Sequence, residues 1–271
     1  RRRERAMEPL IKPIPSRMLR MDGTLVEDRG MPEILANRAV NVESGLPSMV
    51  KDREPKGRAA IVGYGPSLAD TWERLKDFDT IWTVSGAHDY LLARGIRPTH
   101  HLDVDPRQHK GEFMRTPQPG IRYFLSTHSH PTYVQKMKDA GVDVRLFHVG
   151  IVPGQKLDPR YLTHKVQFDA GLEAAEVAFQ NGHREQHWFG IDYSRAGPQT
   201  HAAMHWGVTS AHCEVDAGGR IFGCTQLFFH GLLLAEQFLC DRAVVRCTIH
   251  GDGLLRHFMR DRGRAKFSVM P

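Results

Sequence analysis

From Gly57 onward short apolar runs alternate with stretches of helix formers, and this alternation narrows the fold more than any other feature of the chain. Residues 58–62 read as a strand that runs into a glycine loop, and 70–78 follow as a helix. The pattern continues as strand 80–84, helix 87–94 closed by Gly95, strands 100–104 and 122–126, helix 132–140 stopped by Gly141, and strand 142–149. Beyond these come a helix over 170–180 stopped by Gly182 and a strand over 187–192 that ends in an acid. A hairpin around Ala217-Gly218-Gly219-Arg220 and an apolar helix over 226–239 follow, and nothing after Val244 has a clear period. Strands and helices at this spacing predict an α/β fold with a mostly parallel sheet and helices on both faces. In such sheets ligands bind outside the carboxyl ends of the strands.

The 271 residues fit one large domain with an extension. Residues 1–56 mix charges with Pro9, Pro13, Pro15, Pro32 and Pro47 and keep no period, so they read as an N-terminal arm or lid, and 57–271 as the nucleotide-binding domain. No apolar run approaches the roughly 18–20 residues that cross a bilayer, and the charged start lacks the apolar stretch of a secretory signal. The expectation is a cytoplasmic protein without a membrane partner. Cys213, Cys224, Cys240 and Cys247 include no Cys-x-x-Cys pair and read as reduced, mostly buried thiols. A net charge of +6 favours polyanionic ligands, nucleotides or nucleic acid, but several of the arginines sit in the termini, so charge alone decides little.

Three constellations carry candidate chemistry. The loop Gly63-Tyr64-Gly65-Pro66-Ser67-Leu68 stands between the first core strand and its helix, where positive-φ glycines expose amides to a phosphate and the helix offers its positive end. Ser67 has two readings there, helix cap with Asp70 three residues on, or phosphate contact. The loop lacks the Gly-Lys-Ser of a Walker A motif, and Leu68 replaces the third glycine of Gly-x-Gly-x-x-Gly. Next, Asp103 and Asp105 flank a strand end, a pair suited to Mg²⁺ held jointly with substrate phosphates; the plain alternative is a strand-end turn of solvated acids before Pro106. Last, His128 and His201 both follow strand ends, where a neutral imidazole acts as general base or as donor to a leaving phosphate. His201 and His205 are spaced i, i+4, but Ala202 stands where a zincin has its glutamate.

The order Ile61-Val62-Gly63-Tyr64-Gly65-Pro66-Ser67-Leu68, Val84-Ser85-Gly86-Ala87, Gly95-Ile96-Arg97-Pro98 and Asp103-Val104-Asp105-Pro106 resembles a known family. That family joins archaeal 6-hydroxymethylpterin diphosphokinases (MptE-like) to bacterial flagellin glycosyltransferases of the motility accessory factor type. The resemblance continues through Ser126-Thr127-His128-Ser129-His130-Pro131, Gly190-Ile191-Asp192 and Thr200-His201-Ala202. It implies a Rossmann-like core related to bacterial sialyltransferases, with Gly63, Tyr64, Gly65, Pro66, Ser67, Ser85 and Asp192 on the nucleotide and Asp103, Asp105, His128 and His201 at the chemistry. One branch transfers diphosphate from ATP to a pterin alcohol with Mg²⁺, which would sit on Asp103 and Asp105; the other transfers a nine-carbon acidic sugar from a CMP-sugar donor to a hydroxyl. Two positions depart from the family. Ser85 stands where asparagine is usual, and Val166-Gln167-Phe168-Asp169 replaces a Gly-Gly-Ser-Val-like turn before the helix at Ala170.

These residues together imply a nucleotide-dependent transferase acting on a small-molecule or glycan acceptor. The competing reading is a non-catalytic nucleotide or nucleic-acid binder on the same fold, whose basic ends would grip a polyanion. A nicotinamide oxidoreductase is disfavoured by the missing third glycine and by Thr83-Val84-Ser85 where a ribose-binding acid should end the second strand.

Overall fold

The computed structural model describes residues 30–52, 54–150, 157–165, 169–197, 201–203, 212–242, 244–261 and 266–269. Thr200, His205, residues 1–29 and the segment 166–168 lie outside the described residues. Strands β1 (Ala59–Val62) and β2 (Ile81–Val84) are buried along their whole length, as a parallel sheet covered on both faces requires. Beyond them run β3 (His100–Asp103), β4 (Arg122–Ser126), β5 (Asp143–Gly150), β6 (Thr163–Lys165) and β7 (Glu185–Phe189). A hairpin of β8 (His212–Ala217) and β9 (Arg220–Thr225) comes next, then β10 (Arg246–Ile249) and β11 (Lys266–Val269).

Eight strands form one sheet in the order β10-β7-β1-β2-β3-β4-β5-β6, every neighbouring pair parallel. The hairpin joins β11 in a separate antiparallel sheet. Its turn matches the sequence, for Ala217 pairs with Arg220 while Gly218 and Gly219 take φ of 66° and 79°, the two left-handed positions of a tight hairpin turn.

The helices are α1 (Gly30–Glu43), α2 (Leu68–Thr71), α3 (Ala87–Leu92), α4 (Pro131–Asp139), α5 (Ala170–Gln180), α6 (Gln226–Asp241) and α7 (Leu254–Arg260). Alternation along β1 sends Ala59 and Ile61 into one core with Leu172 and Val177 of α5 and with Leu232 and Ala235 of α6. Ala60 and Val62 face the other side and pack with Leu68, Leu75 and Leu91. Both faces are therefore covered, and each fully buried Leu or Val contributes about 1.5–3 kcal/mol. No helix among the described residues is long and apolar enough to cross a membrane.

Three local differences from the sequence reading have physical causes. The helix expected over 70–78 is one α-turn followed by a 3₁₀ segment, Trp72–Asp77, and Thr71 bonds its hydroxyl back to the Ser67 carbonyl (2.8 Å), a competitor for regular helix. The strand expected over 187–192 stops at Phe189, because Gly190 takes φ 59° and turns the chain. The described part of the 1–56 arm packs on the domain. Ile34 and Met49 are buried, Met49 N–H and the Pro47 carbonyl exchange bonds with Leu146 of β5, and Tyr161 bonds the carbonyls of Val42 and Leu46.

Candidate functional site

From β1 the sheet grows one way through β2 to β6, while β7 and β10 lie on the other side, so the strand order reverses between β1 and β7. A crevice at this switch point is where open α/β sheets bind ligands. The glycine loop leaves β1 there, and its geometry corrects the phosphate-nest expectation. Neither Gly63 nor Gly65 takes a left-handed φ. Their N–H groups donate to the carbonyls of Phe189 (2.8 Å) and Gly190 (2.7 Å), and the Ser67 N–H donates to Asp192 Oδ2 (2.8 Å). Three loop amides are thus occupied by the end of β7 and the turn after it.

The glycines are needed for close approach instead. A Cβ on Gly63 would lie 2.5 Å from the Gly190 carbonyl, and one on Gly65 2.5 Å from Asp192 Oδ2. Ser67 does not fill the cap role expected of it. It makes no side-chain cap bond, and its hydroxyl donates to Asp192 Oδ1 (2.5 Å). Asp192 is the other half of that clasp. Burial first, with Asp70 and Asp252 adding to it, raises its carboxyl to about 6 against the opposing Ser67 hydrogen bonds.

Beside the loop lies a cavity of about 190 Å³. The predicted residues Gly63, Tyr64, Gly65, Ser85, Asp192 and His201 line it, whereas Pro66 and Ser67 do not. Its apolar walls come from Val84, Ile191, Leu227 and Phe228, a mostly apolar lining with few polar groups that suits a small ligand. Tyr64 and His201 lie ring against ring at 5.6 Å, and the Ala202 N–H donates to the Tyr64 carbonyl (2.9 Å). Gly86 makes room for the Tyr64 ring, since a Cβ there would collide with it.

Two cavity residues hold strained backbone. Ser85 and Tyr193 both take φ 51°, and among the described residues they are the non-glycine positions with positive φ. Each such conformation costs about 1–3 kcal/mol and persists only where the surroundings impose it, most often at ligand sites. Tyr193 is fastened by its hydroxyl to Asp169 Oδ2 (2.6 Å), while Asp169 Oδ1 accepts the Leu172 N–H (2.9 Å) and caps α5. Asp169 therefore places a carboxylate, its pKa raised by burial, at a helix end where a residue without an acidic side chain would leave the amides open to an anion. Asp169 and Tyr193 were missed as site residues in the sequence. An aspartate directly before a helical stretch was the available signal for the cap, but nothing local marks Tyr193.

Asp103, Asp105 and His128 follow β3 and β4, along the same carboxyl edge but outside the cavity lining. Asp103 is buried, which raises it to about 6, and its Oδ1 accepts the Asp105 N–H (2.9 Å). Asp105 is held by Arg107 through Nε (2.9 Å to Oδ1) and Nη2 (2.6 Å to Oδ2), and by Lys110 (3.3 Å). These carboxylates do not fit Mg²⁺ as arranged, because the more ionised one is already neutralised by two cations that a metal would have to displace. Among the described residues no group of three His, Cys, Asp or Glu is placed to hold a metal. The solvated-turn alternative fails as well, since both acids are buried.

None of the curated proteins matches the chain. The MAf glycosyltransferase from Magnetospirillum magneticum AMB-1 superposes with a TM-score of 0.58 at 17% identity, over 85% of this chain and 40% of its own, so this chain spans about two fifths of that enzyme's length. A mammalian sialyltransferase bound to Gal-beta-1-3GalNAc-ortho-nitrophenol aligns more loosely, with a TM-score of 0.45 at 12% identity over 91% of each chain. A model of the family described as 6-hydroxymethylpterin diphosphokinase MptE-like matches residues 33–197, from α1 through the cavity-lining turn after β7. That span exceeds half of the chain, and the protein belongs to the MptE-like family.

Proposed function

We propose that this chain is a nucleotide-dependent transferase whose donor nucleoside occupies the cavity at the switch point between β1 and β7. The observation that carries the reading is the coincidence of that crevice with both strained residues, Ser85 and Tyr193. Family membership supports transfer to a hydroxyl, and two reactions fit it: diphosphate from ATP to a hydroxymethyl-pterin-like alcohol, or a sugar from a CMP-sugar donor to a glycan or small acceptor. Apolar walls and the Tyr64 ring suit a base and ribose. The amides that a phosphate would need at the glycine loop and at the start of α5 are bonded to the protein itself.

In this reading the charged part of the donor runs along the strand ends. His201, beside Tyr64, is the group placed to take the acceptor proton or to donate to a departing phosphate oxygen. Asp103 and Asp105 with Arg107 and Lys110 form a polar edge towards the acceptor, and no step is routed through a metal.

A thermal-shift panel of ATP, GTP, CTP, CMP and CMP-sialic acid tests the reading on wild type and on Ala170→Phe, which fills the cavity from its wall. A ligand at about a hundredfold its dissociation constant stabilises by roughly 2.7 kcal/mol. One nucleotide should raise the melting temperature of the wild type and leave Ala170→Phe unmoved. Equal shifts in both proteins would place the nucleotide elsewhere, and no shift from any of them would favour a polyanion binder.

A further inference from the structure

Helix α1 lies across the strand ends at the far side of the sheet from the cavity. Asn37 Nδ2 donates to the His128 carbonyl (3.2 Å), and Asn41 Nδ2 donates to the carbonyls of Thr127 (2.9 Å) and Ser129 (2.7 Å). On it and beneath it are side-chain polar atoms with no hydrogen-bond partner among the described residues: Nη1 of Arg38 on the helix, and below it both ring nitrogens of His128, Nε2 of His148 and the hydroxyl of Ser129. His128 is 1% exposed and His148 and Ser129 are fully buried. An unsatisfied buried polar atom costs about 1–3 kcal/mol, and several in one place call for a missing partner.

The atoms agree in chemistry. His148 keeps Nδ1 on the Thr127 hydroxyl (2.8 Å), and its Nε2 makes no well-aligned hydrogen bond among the described residues. Burial, with the nearby Arg38 adding to it, holds His128 down near 4 and His148 below the usual histidine value. Asp158 reaches His148 through its backbone carbonyl, which opposes the downward shift, while its carboxylate is bonded to Arg160 (2.7 Å). Two buried imidazoles with a guanidinium beside them are a donor set that an oxyanion completes and a cation does not.

We propose that Arg38, His128 and His148 form an oxyanion site at the ends of β4 and β5, built to take a phosphoryl or carboxylate group. It stands apart from the switch-point cavity. Two strand spacings, about 10 Å, separate β2 from β4. The site is read out by simple anions alone, so it does not depend on the donor reading.

The test is a ring-nitrogen NMR titration of protein labelled with ¹⁵N-histidine, at pH 6.5 and constant ionic strength set with chloride. Inorganic phosphate is added in one arm, pyrophosphate in a second and acetate in a third; His128→Gln and His148→Gln assign the signals. Saturable shifts of the His128 and His148 rings towards the protonated form are expected, and Arg38→Gln should weaken binding about tenfold or more, the loss of one charge-assisted bond. Phosphate against acetate decides which oxyanion is preferred. If no arm moves either ring of the wild type, or if all three variants bind as it does, the proposal is overturned; the wild-type titration decides alone should a variant fail to fold.

Discussion

Ser67 and Asp192, 125 residues apart, share two hydrogen bonds, with the serine N–H (2.8 Å) and hydroxyl (2.5 Å) both donating to the carboxylate. This clasp fixes the loop after β1 against the turn after β7, and Asp192 also lines the cavity. Asp192→Ala leaves both buried donors without acceptors and should destabilise by about 2–4 kcal/mol, whereas Asp192→Asn keeps one acceptor and a donor for the hydroxyl and should stay within about 1 kcal/mol. Urea unfolding of the two variants checks this. Equal losses would mean that shape, and not the bonds, holds the turn.

The same carboxyl makes stability depend on pH. Its pKa is about 6 in the fold and near 3.9 in the unfolded chain, so the proton is bound more tightly by the folded state. A group raised in this way contributes its full stability below about pH 4 and loses it as pH rises through 6. Two units correspond to on the order of 3 kcal/mol. Asp192→Asn does not titrate, so it should gain on wild type between pH 4 and 6 and run parallel above. A flat difference across that window would show that the carboxyl is not held protonated.

Ser85 offers a test of backbone strain. Asparagine tolerates the left-handed region better than serine, so Ser85→Asn should gain roughly 0.5–1 kcal/mol, while β-branched Ser85→Val should lose about 1–2 kcal/mol. Melting temperatures of the two variants should move in opposite directions. Losses in both would locate the constraint in a contact of the serine side chain.

Asp105 is expected to behave as an ion-pair partner. Its carboxyl is held below the usual range, with Lys110 and Arg107 outweighing the burial that would raise it, so its contribution is present at neutral pH and lost on acidification. Asp105→Asn should cost about 1–3 kcal/mol at pH 7, Arg107 being partly exposed. Mg²⁺ alone should leave the wild-type melting temperature where a chelator leaves it. A rise of several degrees with Mg²⁺ would mean that the acids leave Arg107 and Lys110 for the metal.

Much of the fold was legible because parallel strands buried on both faces must be written as apolar runs, and 58–62, 80–84 and 122–126 are such runs. Strands β6 and β10 were not, being short and polar, and supported by their neighbours in the sheet. At the cavity, Gly63, Tyr64, Gly65, Ser85, Asp192 and His201 of the expected residues line the wall, but the loop amides face a neighbouring turn. A Gly-x-Gly after a strand looks the same whether its amides face a phosphate or a neighbouring turn, and only the position of Gly190 and Asp192, more than 120 residues on, decides between them. Arg38 carried no local signal at all, since its meaning depends on histidines that lie 90 and 110 residues further along the chain.

That separation has a consequence for how the protein is made. The bonds from α1 to the 127–129 loop span 86 to 91 residues, and the backbone pairing of Pro47 and Met49 with Leu146 spans almost a hundred. A nascent chain therefore completes α1 well before the surface that receives it has been synthesised, at several seconds' delay for typical elongation of about 5–20 residues per second. Contacts of such high sequence separation are slow to form. The helix must wait uncommitted until the 127–129 loop and β5 have followed it.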